Sequence, residues 1–171
     1  PTYITEQLQV STTMAASIST ALPVINLMGT FAGLWLLKKM NDNEKKVLVF
    51  LFGLASVMFT LMYLLDGSLF SLTLISLFLA SAAMTGACNM IFSVYCLRFA
   101  NTGRVSAITG FLNFTSYASA SVASTMFTGI VQVKGWNTTV ALWAAIAAVG
   151  VVFAYLATRV DVAGKTSPVN F

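Results

Sequence analysis

Residues 67–97 read GSLFSLTLISLFLASAAMTGACNMIFSVYCL, and no Asp, Glu, Lys or Arg occurs among them. An α-helix needs roughly 20 apolar residues to cross about 30 Å of hydrocarbon, so this stretch alone is long enough to span a bilayer. Four more stretches without those charges occupy residues 7–37, 47–65, 105–133 and 135–158. Trimmed to their helical cores, the five predict spans over about residues 11–37, 47–65, 69–97, 105–133 and 137–158. Barrel strands would instead show segments of about 10 residues alternating in polarity. A lipid-embedded segment pairs every backbone donor and acceptor within itself most simply as a helix. The expected fold is therefore all-α: a polytopic membrane helix bundle of about five transmembrane helices, forming one membrane domain over residues 1–171.

Composition points the same way, with 58% hydrophobic and 8% charged residues and a mean hydropathy of +0.86. Soluble domains carry about a quarter charged residues. The connections at residues 38–46, 66–68, 98–104 and 134–138 are short and leave no room for a linker between domains. Of the nine basic residues, Lys38, Lys39, Lys45, Lys46, Arg98, Arg104, Arg159 and Lys165 fall on one side of the predicted bundle and Lys134 alone on the other. The positive-inside rule makes the crowded side cytoplasmic. The amino terminus is then outside, the carboxyl terminus is cytoplasmic, and the expected location is the plasma (cell inner) membrane. The formal charge of +4 is thus a topology signal, and no basic stripe with interleaved aromatics points to nucleic acid. The opening Pro1-Thr-Tyr-Ile has neither an initiator Met nor a charged leader segment, and reads as the start of a fragment.

The spans differ in polar content. Ser19, Asn26 and Thr30 recur on the first, beside Pro23, which removes a backbone donor to the carbonyl of Ser19 and predicts a kink or local opening. On the third, Ser81, Thr85, Asn89 and Ser93 follow at every fourth position and share a face. The fourth carries Thr109, Asn113, Ser116, Tyr117, Ala120 and Ser124. Spans two and five offer little that is polar and suit outer positions against lipid.

Polar groups at membrane depth face a bundle interior or a cavity, so the stripes read either as a solute pathway or as hydrogen bonds between helices. At least one of Asn26, Asn89 and Asn113 is expected to meet solute or cavity water. Gly29 and Gly33 form a GxxxG, and residues 116–124, SYASASVAS, place Ala120 and Ser124 on a small-residue surface; both favour close helix packing. Catalysis finds no support, because the chain has no His and its acids lie in loops or termini. Cys88 and Cys96 stand about 12 Å apart along one helix, too far for a disulfide, and no metal or cofactor is expected. Asn113 and Asn137 head glycosylation sequons, but the first lies inside a span and the second hugs the membrane. Trp136 suits an interfacial anchor.

Residues 103–110, GRVSAITG, the small-rich helix after them, and residues 128–136, TGIVQVKGW, resemble the last two helices of a major facilitator superfamily transporter. The opening PTYITE, followed by Ser11, Pro23 and Gly33, is similar to the end of helix seven and helix eight in its sugar-phosphate and organic-anion permease branch. The resemblance covers essentially the whole chain, as helices eight to twelve of twelve, and puts helices nine and twelve against lipid, matching spans two and five. It implies alternating access between two six-helix halves, with a missing amino-terminal half as partner and a small-molecule solute as cargo. Asn89, Ser93, Asn113, Phe114 and Tyr117 then stand where such transporters place cavity-lining side chains. The family's anion-binding arginines would lie outside this chain. Leu37 precedes Lys38 where the family places Asp before a basic residue, so a gating ion pair is not expected there. The competing reading is a small helical membrane protein with a structural or assembly role that transports nothing.

Overall fold

The computed structural model describes residues 2–97 and 99–159. Arg98, Lys165 and the carboxyl terminus, which entered the sidedness argument, and Pro1 of the opening motif lie outside the described residues. A short helix α1 (Thr2–Gln7) is followed by α2 (Thr12–Lys39), α3 (Glu44–Leu65), α4 (Phe70–Asn89) and α5 (Val105–Arg159). Among the described residues there is no strand.

Local chemistry sets the boundaries. Ser11 caps α2, its Oγ accepting from the Met14 amide at 3.3 Å. Lys38 and Lys39 occupy the last turn of α2, where cations complement the helix dipole. Asn41 and Asp42 then turn the chain in the left-handed region, φ 55° and 56°, which Asn and Asp tolerate better than other side chains. Asn43 caps α3 through Oδ1 on the Lys46 amide at 3.2 Å. The helix ends at Asp66 and Gly67, both at positive φ. α2 remains one helix through Pro23, so the opening expected there does not interrupt it; the proline is exposed.

Among the described residues four helices, α2, α3, α4 with its extension to Tyr95, and α5, are long and apolar enough to cross a membrane. The fourth accounts for two of the five predicted spans. Its 55 residues would reach about 80 Å as a straight rod, far more than a bilayer. Gly135 breaks it, at φ 78° and ψ 176°, a conformation open to glycine because it has no Cβ. Phe127 and Trp143 sit eight residues before and eight after the break, yet their ring centroids are 6.0 Å apart. Sixteen residues of straight helix would separate them by about 24 Å. Residues 105–134 and 136–159 are therefore two limbs of a hairpin, and a single glycine does the work of the predicted loop.

α3 is the hub, packing against both α4 and α5. Val47, Leu51 and Ala55, one face at helical spacing, are buried with Leu37, Ala83, Ala87, Met90 and Ala147. On the second limb of α5, Gly150 lies against the Phe52 ring, 2.7 Å from where a Cβ would sit, and Ser56 donates to the Ala144 carbonyl at 3.4 Å. Spans two and five thus pack on each other. Phe50, Val57 and Leu64 remain exposed, recurring every seventh residue as an apolar stripe suited to lipid.

Candidate functional site

The polar stripes of α2 and α4 meet along one seam. Ser81 Oγ donates to Asn26 Oδ1 at 2.8 Å, and Asn89 Nδ2 donates to Thr30 Oγ1 at 2.6 Å. Thr30 in turn donates to the Asn26 carbonyl at 3.2 Å, joining α4 to the backbone of α2. Between the two side-chain bonds the helices touch through glycine. A Cβ on Gly29 would collide with the Ala82 carbonyl oxygen and lie 2.8 Å from both Ala82 C and Cα; a Cβ on Gly86 would lie 2.9 Å from the Gly29 carbonyl oxygen. Gly33 has more room, its nearest neighbour being the Met90 methyl at 3.6 Å. The close approach is what lets short side chains such as Ser81 and Thr30 bond across the seam.

The remaining predicted pathway residues lie elsewhere. Asn113, Phe114 and Tyr117 are on the first limb of α5, spaced so that they share a face, and all are exposed, Phe114 by 70% and Tyr117 by 77%. Ser93 is exposed beyond the seam on α4, and Ala120 and Ser124 are exposed on the first limb. Among the described residues, none between 105 and 134 is buried. The structure brings Asn26 and Asn89 into one network and leaves Asn113, Phe114 and Tyr117 together on an open face. Thr115 and Thr128 bond within the limb itself: Thr115 donates to the Leu112 carbonyl at 2.9 Å and Thr128 to that of Ser124 at 2.8 Å.

At the opposite end from the Lys38–Lys39 turn, α1 forms a brace that residue spacing did not reveal. Trp136 Nε1 donates to Glu6 Oε2 at 2.6 Å, Tyr3 meets the Trp136 ring edge-on at 5.3 Å, and Gln7 Nε2 donates to Asp66 Oδ1 at 2.8 Å. Burial, reinforced by the nearby Asp66 charge, pushes the Tyr3 hydroxyl up to about 12, so it stays protonated at physiological pH. The signal in the sequence was an aromatic and two acids at span ends, but pairing them needs the fold. The recess among Tyr3, Gln7, Met62, Asp66, Trp136, Asn137 and Val140 is too tight to admit water and serves packing. Trp136, expected from the sequence as an interfacial anchor, clamps α1 to the second limb of α5.

The fold is that of a polytopic α-helical membrane protein, with an apolar exterior and polar groups concentrated on particular helix faces. The profile of the Major Facilitator Superfamily matches residues 1–170, and the chain belongs to that family. No curated protein and no solved structure matches it. Membership supports a transporter-type function for a multi-pass protein in a lipid bilayer, handling small solutes.

Proposed function

We propose that the chain is the carboxy-terminal part, helices eight to twelve, of a secondary active transporter working by alternating access. Its solute is a small organic anion or phosphate ester. The observation that carries the reading is the family match over residues 1–170. The open face of Asn113, Phe114 and Tyr117 supports it, because hydrogen-bonding and aromatic groups on an uncovered helix are suited to lining a shared cavity. The two limbs of α5 each cross the membrane, making five passes, and the seam of α2 and α4 forms a stiff wall beside them.

Alternating access needs a second wall against which the first can move. Residues 1–171 reconstituted in liposomes alone are expected to give no saturable uptake of phosphate esters or organic anions, and co-reconstitution with the amino-terminal half is expected to restore it. Saturable uptake by residues 1–171 alone would sink the half-transporter reading.

The proposed orientation puts residues 38–46 in the cytoplasm of a cell whose plasma membrane holds the protein. Single cysteines replacing Asn41 and Lys134, both exposed, are to be probed in intact cells with an impermeant thiol reagent. Lys134→Cys is expected to react and Asn41→Cys to be protected. The reverse pattern would invert the topology.

A further inference from the structure

α4 does not finish as it begins. After Asn89 its backbone widens into a π-helix over Met90–Tyr95, and Cys96 and Leu97 return to α-helix. A π turn bonds i to i+5 and so accommodates one residue more than an α turn. The Cys96 thiol traces the wider register, donating to the Ile91 carbonyl five residues back at 3.4 Å. The sequence Met90-Ile-Phe-Ser-Val-Tyr95 contains neither Pro nor Gly, so no local breaker imposes the widening.

Packing holds the segment at both ends. Asn89 is bonded to Thr30, Met90 is buried against Gly33, and Cys96 is 1% exposed. Between them Ser93 is exposed, and the segment touches α3 and α5. An extra residue in one turn sets everything beyond it back by one position. If the segment rewound to α-helix, Tyr95 would take the angular place now held by Cys96.

We propose that Met90–Tyr95 is a register switch. Its conversion from π- to α-helix turns the end of α4 by about 100°, the angle of one residue at 3.6 per turn, carrying Cys96 out of its buried slot and Tyr95 into it. Packed interfaces of this kind have discrete alternatives and do not deform continuously. Tyr95, which now meets Phe99 edge-on at 5.8 Å, is the bulk that must move, and the contacts of the segment with α3 and α5 pass the turn to its neighbours. The use of the switch in transport rests on the transporter reading; the switch itself does not.

The test uses full-length protein in native membranes with Cys96 as the sole cysteine, labelled with N-ethylmaleimide, with and without deletion of Val94. Deleting one residue removes the π turn while keeping residues 95–97 on their present faces, so the α form no longer needs rotation. Labelling of Cys96 is expected to slow at least tenfold on deletion, to quicken severalfold in Tyr95→Ala, and to slow in Tyr95→Trp. A second protein with Cys88 alone, exposed and ahead of the π turn, should label equally with and without the deletion. Equal Cys96 rates would overturn the switch, and so would faster Cys96 labelling on deletion, which would make the π turn a packing accommodation. Uptake of phosphate esters and organic anions is followed in parallel. Absence of all uptake in the undeleted protein would refute the transporter reading and leave the labelling result to decide the switch.

Discussion

Gly29→Ala is expected to destabilise the full-length protein by about 2–3 kcal/mol, toward the upper end of what one added methyl costs in a packed core. Gly33→Ala, at the other end of the same GxxxG, is expected to be nearly silent. The difference lies in what each new methyl meets. At Gly29 it meets the Ala82 backbone, carbonyl oxygen, carbonyl carbon and Cα together, and backbone in a facing helix yields only if the helices separate. At Gly33 the nearest atom, the Met90 methyl at 3.6 Å, is in ordinary contact and belongs to a flexible side chain. Separation at Gly29 would also stretch the Ser81–Asn26 and Asn89–Thr30 bonds on either side of it.

Gly53→Ala supplies the control, since a Cβ there meets nothing within 4 Å and replacing glycine inside a helix gains about 0.5–1 kcal/mol. Thermal unfolding of the detergent-solubilised protein, read by size-exclusion chromatography, ranks the three. Equal midpoints for Gly29→Ala and Gly33→Ala would refute the view that backbone contact with Ala82 sets the α2–α4 distance.

The contrast marks where sequence reasoning ran out. Gly29 and Gly33 were recognisable as a packing motif from spacing alone, but their unequal tolerance depends on Ala82 and Gly86 opposite, which no periodicity in α2 reveals. Likewise, Ser81, Thr85, Asn89 and Ser93 recur at every fourth position, but the structure bonds only Ser81 and Asn89 of them across to α2, while Ser93, inside the π turn, is exposed. The spacing revealed neither the partner side chains nor the π turn. Long uncharged stretches, by contrast, were directly readable, because lipid and backbone hydrogen bonding leave so few alternatives. The join between the last two stretches showed only as a Lys-Gly-Trp cluster; that one glycine reverses the chain follows from its positive φ and from the Phe127–Trp143 contact across it.

The seam also divides the Asn residues that the sequence grouped together. Asn113→Leu is expected to leave the amount and thermal midpoint of folded full-length protein unchanged and to lower uptake at least tenfold, equivalent to about 1.4 kcal/mol. Asn26→Leu and Asn89→Leu are expected to act in the opposite order, reducing folded protein before any effect on transport per folded molecule. Each of those two removes one partner of a hydrogen bond between helices, leaving Ser81 or Thr30 without it, and such bonds within membranes contribute about 0.6–2 kcal/mol. Asn113 has no such bond among the described residues, and it shares an exposed face with Phe114 and Tyr117, so leucine there meets no packing conflict within the chain. Tyr117→Phe refines the comparison, because it deletes one hydroxyl and keeps the ring: a loss of uptake comparable to that of Asn113→Leu would mean the solute is held by hydrogen bonds from this face, whereas full activity would leave Tyr117 an apolar wall. The measurement is uptake per folded molecule in liposomes, normalised by size-exclusion peak area. If Asn113→Leu lost folded protein and uptake in equal proportion, the first limb of α5 would be a packing surface and the pathway would have to lie elsewhere.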